Sequence, residues 1–183
     1  MILFGLIIFS TLSWESQGIF YHIQDCEIEV IDEEWFDVDA TSCELELLND
    51  TFNAIKLDFR VIKDLPEDTY GEFDVFIRRA GNYKTSTGIY VKENLCNFVN
   101  EEVMLGDLFK TVGITENTCP LKKGNYKTED SWYPSRKLMP KTVDGIDYKT
   151  MFAISANGKR IFILAVYAEI ASSEWETDDD DEE

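Results

Sequence analysis

The sequence holds a single histidine, His22, and fewer than half as many basic as acidic residues, 17 Lys plus Arg against 36 Asp plus Glu, for a formal charge of −19. With one imidazole, any Ser-His-Asp or Cys-His mechanism has to run through His22. No GxSxG elbow, HExxH helix or glycine-rich phosphate loop is present. The four cysteines contain no CxxC pair, which argues against a structural zinc site. A polyanion of this size is repelled by nucleic acid and by acidic membrane surfaces, so neither is an expected partner. No apolar run reaches the ~20 residues of a membrane span. The chain also lacks internal repeats and the alternating helices of a βαβ fold, and it is short enough to be one domain.

Two acidic patterns fail on inspection. The run Asp37-Val38-Asp39-Ala40-Thr41 starts like a calcium loop, but Ser42 stands where glycine is required and Leu48 where the bidentate glutamate belongs. Glu101 and Glu102 form a carboxylate pair of the kind a glycosidase uses, yet with 36 acids in the chain adjacency by chance accounts for them. We therefore expect no enzyme, no metal and no cofactor. His22 reads as a surface or strand residue.

What is present begins with an apolar run from Ile2 to Leu12, followed by Ser16 and Gly18 at the −3 and −1 positions of a cleavage site. Residues 1–18 read as a signal peptide, with the mature chain starting at Ile19 and an expected secreted, extracellular location. In an exported chain an even number of cysteines is normally paired. Cys26, Cys43, Cys96 and Cys119 allow three pairings. The two local ones, Cys26 with Cys43 and Cys96 with Cys119, are preferred, each closing a loop worth roughly 3 kcal/mol in the chain-entropy picture. Asn49-Asp50-Thr51 is a glycosylation sequon, so Asn49 is a candidate glycan site.

Period-two alternation marks the strands. Cys43, Leu45 and Leu47 open the series. Ile55 to Val61, Phe73 to Ile77, Ile89 and Val91, Phe152 and Ile154, and the apolar run Ile161 to Ile170 continue it. Asn157-Gly158 between two such runs is a strong hairpin signal. Val103, Met104, Leu108, Phe109 and Val112 instead follow helical spacing, which predicts one short helix over 101–112 stopped by Gly113. Many short strands with one brief helix predict an all-β, antiparallel sandwich over 19–171. Residues 172–183 are so acidic, with eight acids in the last ten positions, that they read as a disordered tail.

The order of Cys26, Cys43-Glu44-Leu45, Asn49-Asp50-Thr51, Gly81-Asn82-Tyr83, Asn94-Leu95-Cys96-Asn97-Phe98 and Cys119-Pro120 resembles a large insect family of small secreted proteins of unknown function. That family includes the fly chemosensory-bristle (CheB) proteins. It is similar in turn to the ML lipid-recognition superfamily, which includes the ganglioside activator and sterol-carrying lysosomal proteins. The resemblance implies an immunoglobulin-like sandwich splayed to admit a lipid or other apolar small molecule, in chemosensation or lipid transfer. Strand parity supplies the expected lining: Phe59, Phe73, Val75, Ile77, Ile89, Val91, Phe152, Ile154, Phe162, Leu164 and Val166. Met104, Leu108 and Phe109 of the helix, with Trp132 and Met139 of the loop 132–140, are expected either at the mouth of the cavity or as cover on the core. The alternative expectation is an extracellular, monomeric interaction protein with a filled core, whose acidic surface meets a basic receptor or matrix partner.

Overall fold

The computed structural model describes residues 18–48, 52–100, 104–134 and 145–173, with the backbone alone for 18–20, 100, 104, 105, 116 and 171–173. The strands are β1 (Gly18–Ile31), β2 (Phe36–Leu47), β3 (Asn53–Val61), β4 (Tyr70–Arg79), β5 (Asn82–Asn94), β6 (Gly124–Lys127), β7 (Ile146–Ala156) and β8 (Lys159–Ser173). Two short helices, α1 (Leu95–Asn100) and α2 (Met104–Thr111), follow β5. A five-stranded sheet in the order β1-β8-β7-β4-β5 faces a three-stranded sheet in the order β2-β3-β6, and every pairing is antiparallel. This is an all-β antiparallel sandwich, as the alternation predicts, and it is immunoglobulin-like, as the resemblance implies.

The hairpins follow from local chemistry. Between β7 and β8, Asn157 and Gly158 both adopt positive φ (52° and 74°), as a two-residue turn matching the twist of the strands requires. Ala80 and Gly81 (49° and 81°) do the same between β4 and β5. The disulfides join Cys26 to Cys43 and Cys96 to Cys119. The first links β1 to β2, and so one sheet to the other. The second ties α1 to the turn after the 3-10 helix Glu116–Thr118.

Several elements differ from expectation. The helix predicted over 101–112 is α2, with residues 101–103 outside the described residues, and it ends at Gly113 (φ 84°). The second helix, α1, is capped by Asn94, whose Oδ1 accepts from the Cys96 N–H at 3.0 Å. The alternation did not reveal β1, because register shifts between Ile23 and Asp25 and between Ile28 and Val30 switch its inward parity from Tyr21 and Ile23 to Cys26. The short β6 shows only one apolar residue, Tyr126. Asp37–Thr41, which begins like a calcium loop, lies within β2. At the C-terminal end β8 runs through residues 172–173, which the sequence assigns to the tail. Residues 1–17 of the segment expected to be a signal peptide, Asn49, Met139 and 174–183 lie outside the described residues. Gly18 opens β1 opposite Ser173.

Ile89 is a correction. Expected inward, it is 46% exposed. Asp74 pairs with Tyr90, but Phe76 pairs with Ser86, so β5 carries extra residues opposite Val75, with Gly88 at φ 86° and Thr87 Oγ1 donating to the Val75 carbonyl at 2.9 Å. This bulge turns Ile89 out of the interior.

Candidate ligand-binding site

The inner face of the five-stranded sheet supplies most of the core. Phe59 from the facing sheet and Phe152, Ile154, Phe162, Leu164 and Val166 are at most 3% exposed, and Val75 is 8%. Two aromatic groups fill the space between the layers. Phe36, Phe59 and Phe162 meet at centroid distances of 5.2 to 6.1 Å. Phe98 and Phe109 bring the helices onto Phe152, with the Phe109 and Phe152 rings edge to face at 4.3 Å. Gly71 on β4 makes room for this contact, since a Cβ there would lie 3.2 Å from Phe98 Cγ.

Leu108, Phe109 and Trp132 are buried in this core. Trp132 pairs with Ile55 through both backbone hydrogen bonds, each 2.8 Å, and its Nε1 donates to Asp107 Oδ2 at 3.1 Å, tying the edge of the small sheet to α2. These three side chains lie within the core cluster. The Met104 side chain is not among the described residues.

Along the β4–β5 edge, where Phe73 pairs with Val91, and at the far end of β4 and β7, where Ile77 and Ile146 lie, the cover is incomplete. Phe73, Ile77, Val91 and Ile146 point inward and pack on the core, yet remain half-buried. Ile77 sits opposite Tyr148 across the β4–β7 pair. Around Ile77 and Ile146 opens a pocket of about 390 Å³, completed by Arg78, Arg79, Gly81, Gly145 and Asp147. Gly81 and Gly145 have positive φ and nothing within 4 Å of where a Cβ would stand, so both leave its walls open. The Gly145 N–H donates to the Ile170 carbonyl at 2.8 Å, which fixes the start of β7 against β8. Arg78 Nη1 donates to Asp147 Oδ2 at 3.0 Å, and this bond raises the Arg78 pKa further. Arg79 is exposed and has no acidic partner among the described residues.

Behind the pocket the polar groups are neutral. Tyr21 Oη and Thr150 Oγ1 lie 3.2 Å apart in the interior. Burial pushes the Tyr21 phenol up to about 12, against the opposing effect of the Thr150 hydrogen bond, and burial also raises Tyr148. Both phenols stay protonated at neutral pH. Inward of Ile77 and Ile146 the side chains are aliphatic and aromatic, with the hydroxyls of Tyr21, Tyr148 and Thr150 among them. His22 is exposed on β1 opposite Glu169. Among the described residues no group of three or more His, Cys, Asp or Glu is placed to hold a metal ion, and no helix is long and apolar enough to cross a membrane.

Strand parity located Phe73, Ile77 and Val91 on the correct face but could not tell which end of it would be covered. It missed Ile146, Tyr148 and the two arginines. The signal for the arginines was their place immediately before the Ala80-Gly81 turn, which sets both at the rim of the sandwich.

Fold and site together define a disulfide-linked antiparallel β-sandwich whose apolar inner face is open at one end. No family model matches the sequence, and no curated protein matches it. Among solved structures the chain is similar to a Niemann-Pick type C2 protein from Japanese carpenter ant, at 13% identity over 85% of this chain and 93% of that one, with a TM-score of 0.32.

Proposed function

We propose that the protein is a secreted, non-enzymatic carrier that holds a lipid or other apolar molecule between its sheets at the open end of β4, β5 and β7. The observation that carries this reading is the half-burial of Ile77 and Ile146 at that end, with Phe73 and Val91 half-buried beside them along the β4–β5 pair, all in continuity with the core. Apolar side chains so placed gain by excluding water, and a ligand is one way to do so. The energetics allow it. Burying ~10 methylenes yields about 8 kcal/mol gross, against association costs of ~4 to 15 kcal/mol, which leaves at most about 4 kcal/mol of net affinity and permits release of the cargo. The two disulfides and the leader-like N-terminus support an extracellular setting. The sequence resemblance suggests chemosensation or lipid transfer as its use.

A second reading rests on the charge of −19, which suits a basic receptor or matrix partner meeting a protein with a filled core. Uptake of a fluorescent apolar probe by the delipidated protein separates the two. Under the carrier reading the wild type takes up the probe, and Ile146→Asp weakens uptake about tenfold, since a charge placed at a half-buried apolar contact must be desolvated. The melting temperature of the variant should fall only slightly. Absence of uptake by the folded wild type, together with absence of any extractable lipid from the native protein, would overturn the carrier reading in favour of the second.

A further inference from the structure

Resting on the carrier reading, we propose that the pocket at the β4–β5 hairpin selects amphiphiles whose head is an oxyanion, with Arg79 as the head-group donor and the chain running inward past Ile77 and Ile146. Three observations converge. In a chain with 36 acids and 17 bases, the described pocket is lined by two arginines and one aspartate. Arg78 is already engaged by Asp147 at 3.0 Å, whereas Arg79 has no acidic partner among the described residues, so its fork of donors is available to an incoming anion. The apolar members of the same pocket, Ile77 and Ile146, belong to the inner face, so one ligand reaches both the guanidinium and the interior.

The interior itself rejects the charge. Its buried polar groups on this path are the neutral hydroxyls of Tyr21, Tyr148 and Thr150, which leave an oxyanion without a counter-charge. A charged head is therefore retained at the rim while its chain is buried. Gly81 and Gly145 line that rim without side chains, in open space with no atom within 4 Å of a Cβ position.

The test is displacement of a bound fluorescent probe from the delipidated full chain by decyl phosphate, decanol and inorganic phosphate. Wild type should favour decyl phosphate over decanol by about tenfold, the scale of one charge-assisted contact, and should bind inorganic phosphate far more weakly than either. Arg79→Gln should reduce the preference to about twofold with decanol affinity unchanged. Arg79→Lys, which keeps the charge and loses the fork, should fall between. Arg79 is exposed at a turn, so an unchanged melting temperature confirms that the variants are folded. Equal affinity of the wild type for decyl phosphate and decanol overturns the proposal, as does a preference that survives Arg79→Gln. Inorganic phosphate matching decyl phosphate also overturns it, because the chain would then contribute nothing. In all three cases decanol uptake leaves the carrier reading standing. Failure of decanol and decyl phosphate alike overturns both.

Discussion

Glu72 is a charged residue that is almost wholly buried, 3% exposed, on the outer face of the large sheet. Its Oε1 accepts from Ser155 Oγ at 2.7 Å and Lys92 Nζ at 2.9 Å, and its Oε2 accepts from Arg160 Nε at 3.0 Å and Nη2 at 2.8 Å. Burial alone raises a carboxyl's pKa, but the hydrogen bonds from Ser155, Lys92 and Arg160 outweigh it, and Glu72 is held at about 2 from an ordinary 4.5. A depressed carboxyl contributes stability that is complete above pH 4.5 and is lost as pH falls through about 2. Glu72→Gln should therefore cost about 1–2 kcal/mol at pH 7, a modest figure because Lys92 and Arg160 are themselves nearly half exposed. The gap from wild type should narrow below pH 4.5 and close near pH 2. Denaturant titrations at pH 7, 4 and 2.5 check this, and a gap that stays constant with pH would refute the role assigned to the charge.

At the scale of elements, the docking of α1 on β4 depends on the absence of a side chain at Gly71. Replacing glycine by alanine in a strand ordinarily stabilises by up to about 1 kcal/mol. Here the new methyl would press on Phe98, 1% exposed and flanked by Phe109 and Phe152, so the ring has nowhere to move. Gly71→Ala is expected to lose about 1–2 kcal/mol instead, a reversal of sign that thermal melting detects. The same comparison shows which elements a one-dimensional pattern reveals. β3 keeps strict parity from Ile55 to Val61 and is legible, and β7 and β8 slip only next to their shared turn, between Ile154 and Ser155. The bulges in β1 and β5 change parity partway along the strand, so alternation alone hides β1 and puts Ile89 on the wrong face.

For the whole molecule the dominant quantity is the charge of −19. Self-repulsion of that size opposes the compact state, while the exposed ion pairs, such as Lys56 with Glu46 and Lys63 with Glu34, contribute little. Salt shortens the reach of repulsion from ~30 Å at 0.01 M to ~3 Å at 1 M. Raising sodium chloride over that range should increase the melting temperature by about 3 °C or more, equivalent to about 1 kcal/mol for a domain of this size. A fall in the melting temperature would mean that the ion pairs outweigh the repulsion.

Composition and local pattern were enough to determine the fold class, the Asn157-Gly158 hairpin and the inward set Phe59, Phe152, Ile154, Phe162, Leu164 and Val166, because each depends on neighbours a few residues away or on the two-residue period of a strand. Only the tertiary structure decided where that inward face is left open. The coverage of Ile77 and Ile146 depends on a five-stranded sheet facing a three-stranded one, with two helices filling in at the Gly71 end. The gathering of Arg78, Arg79, Gly145 and Asp147 depends in turn on β4 and β7, distant in sequence, pairing side by side. Burial is a property of what lies opposite in space, and no periodicity within one strand encodes the reach of its partner.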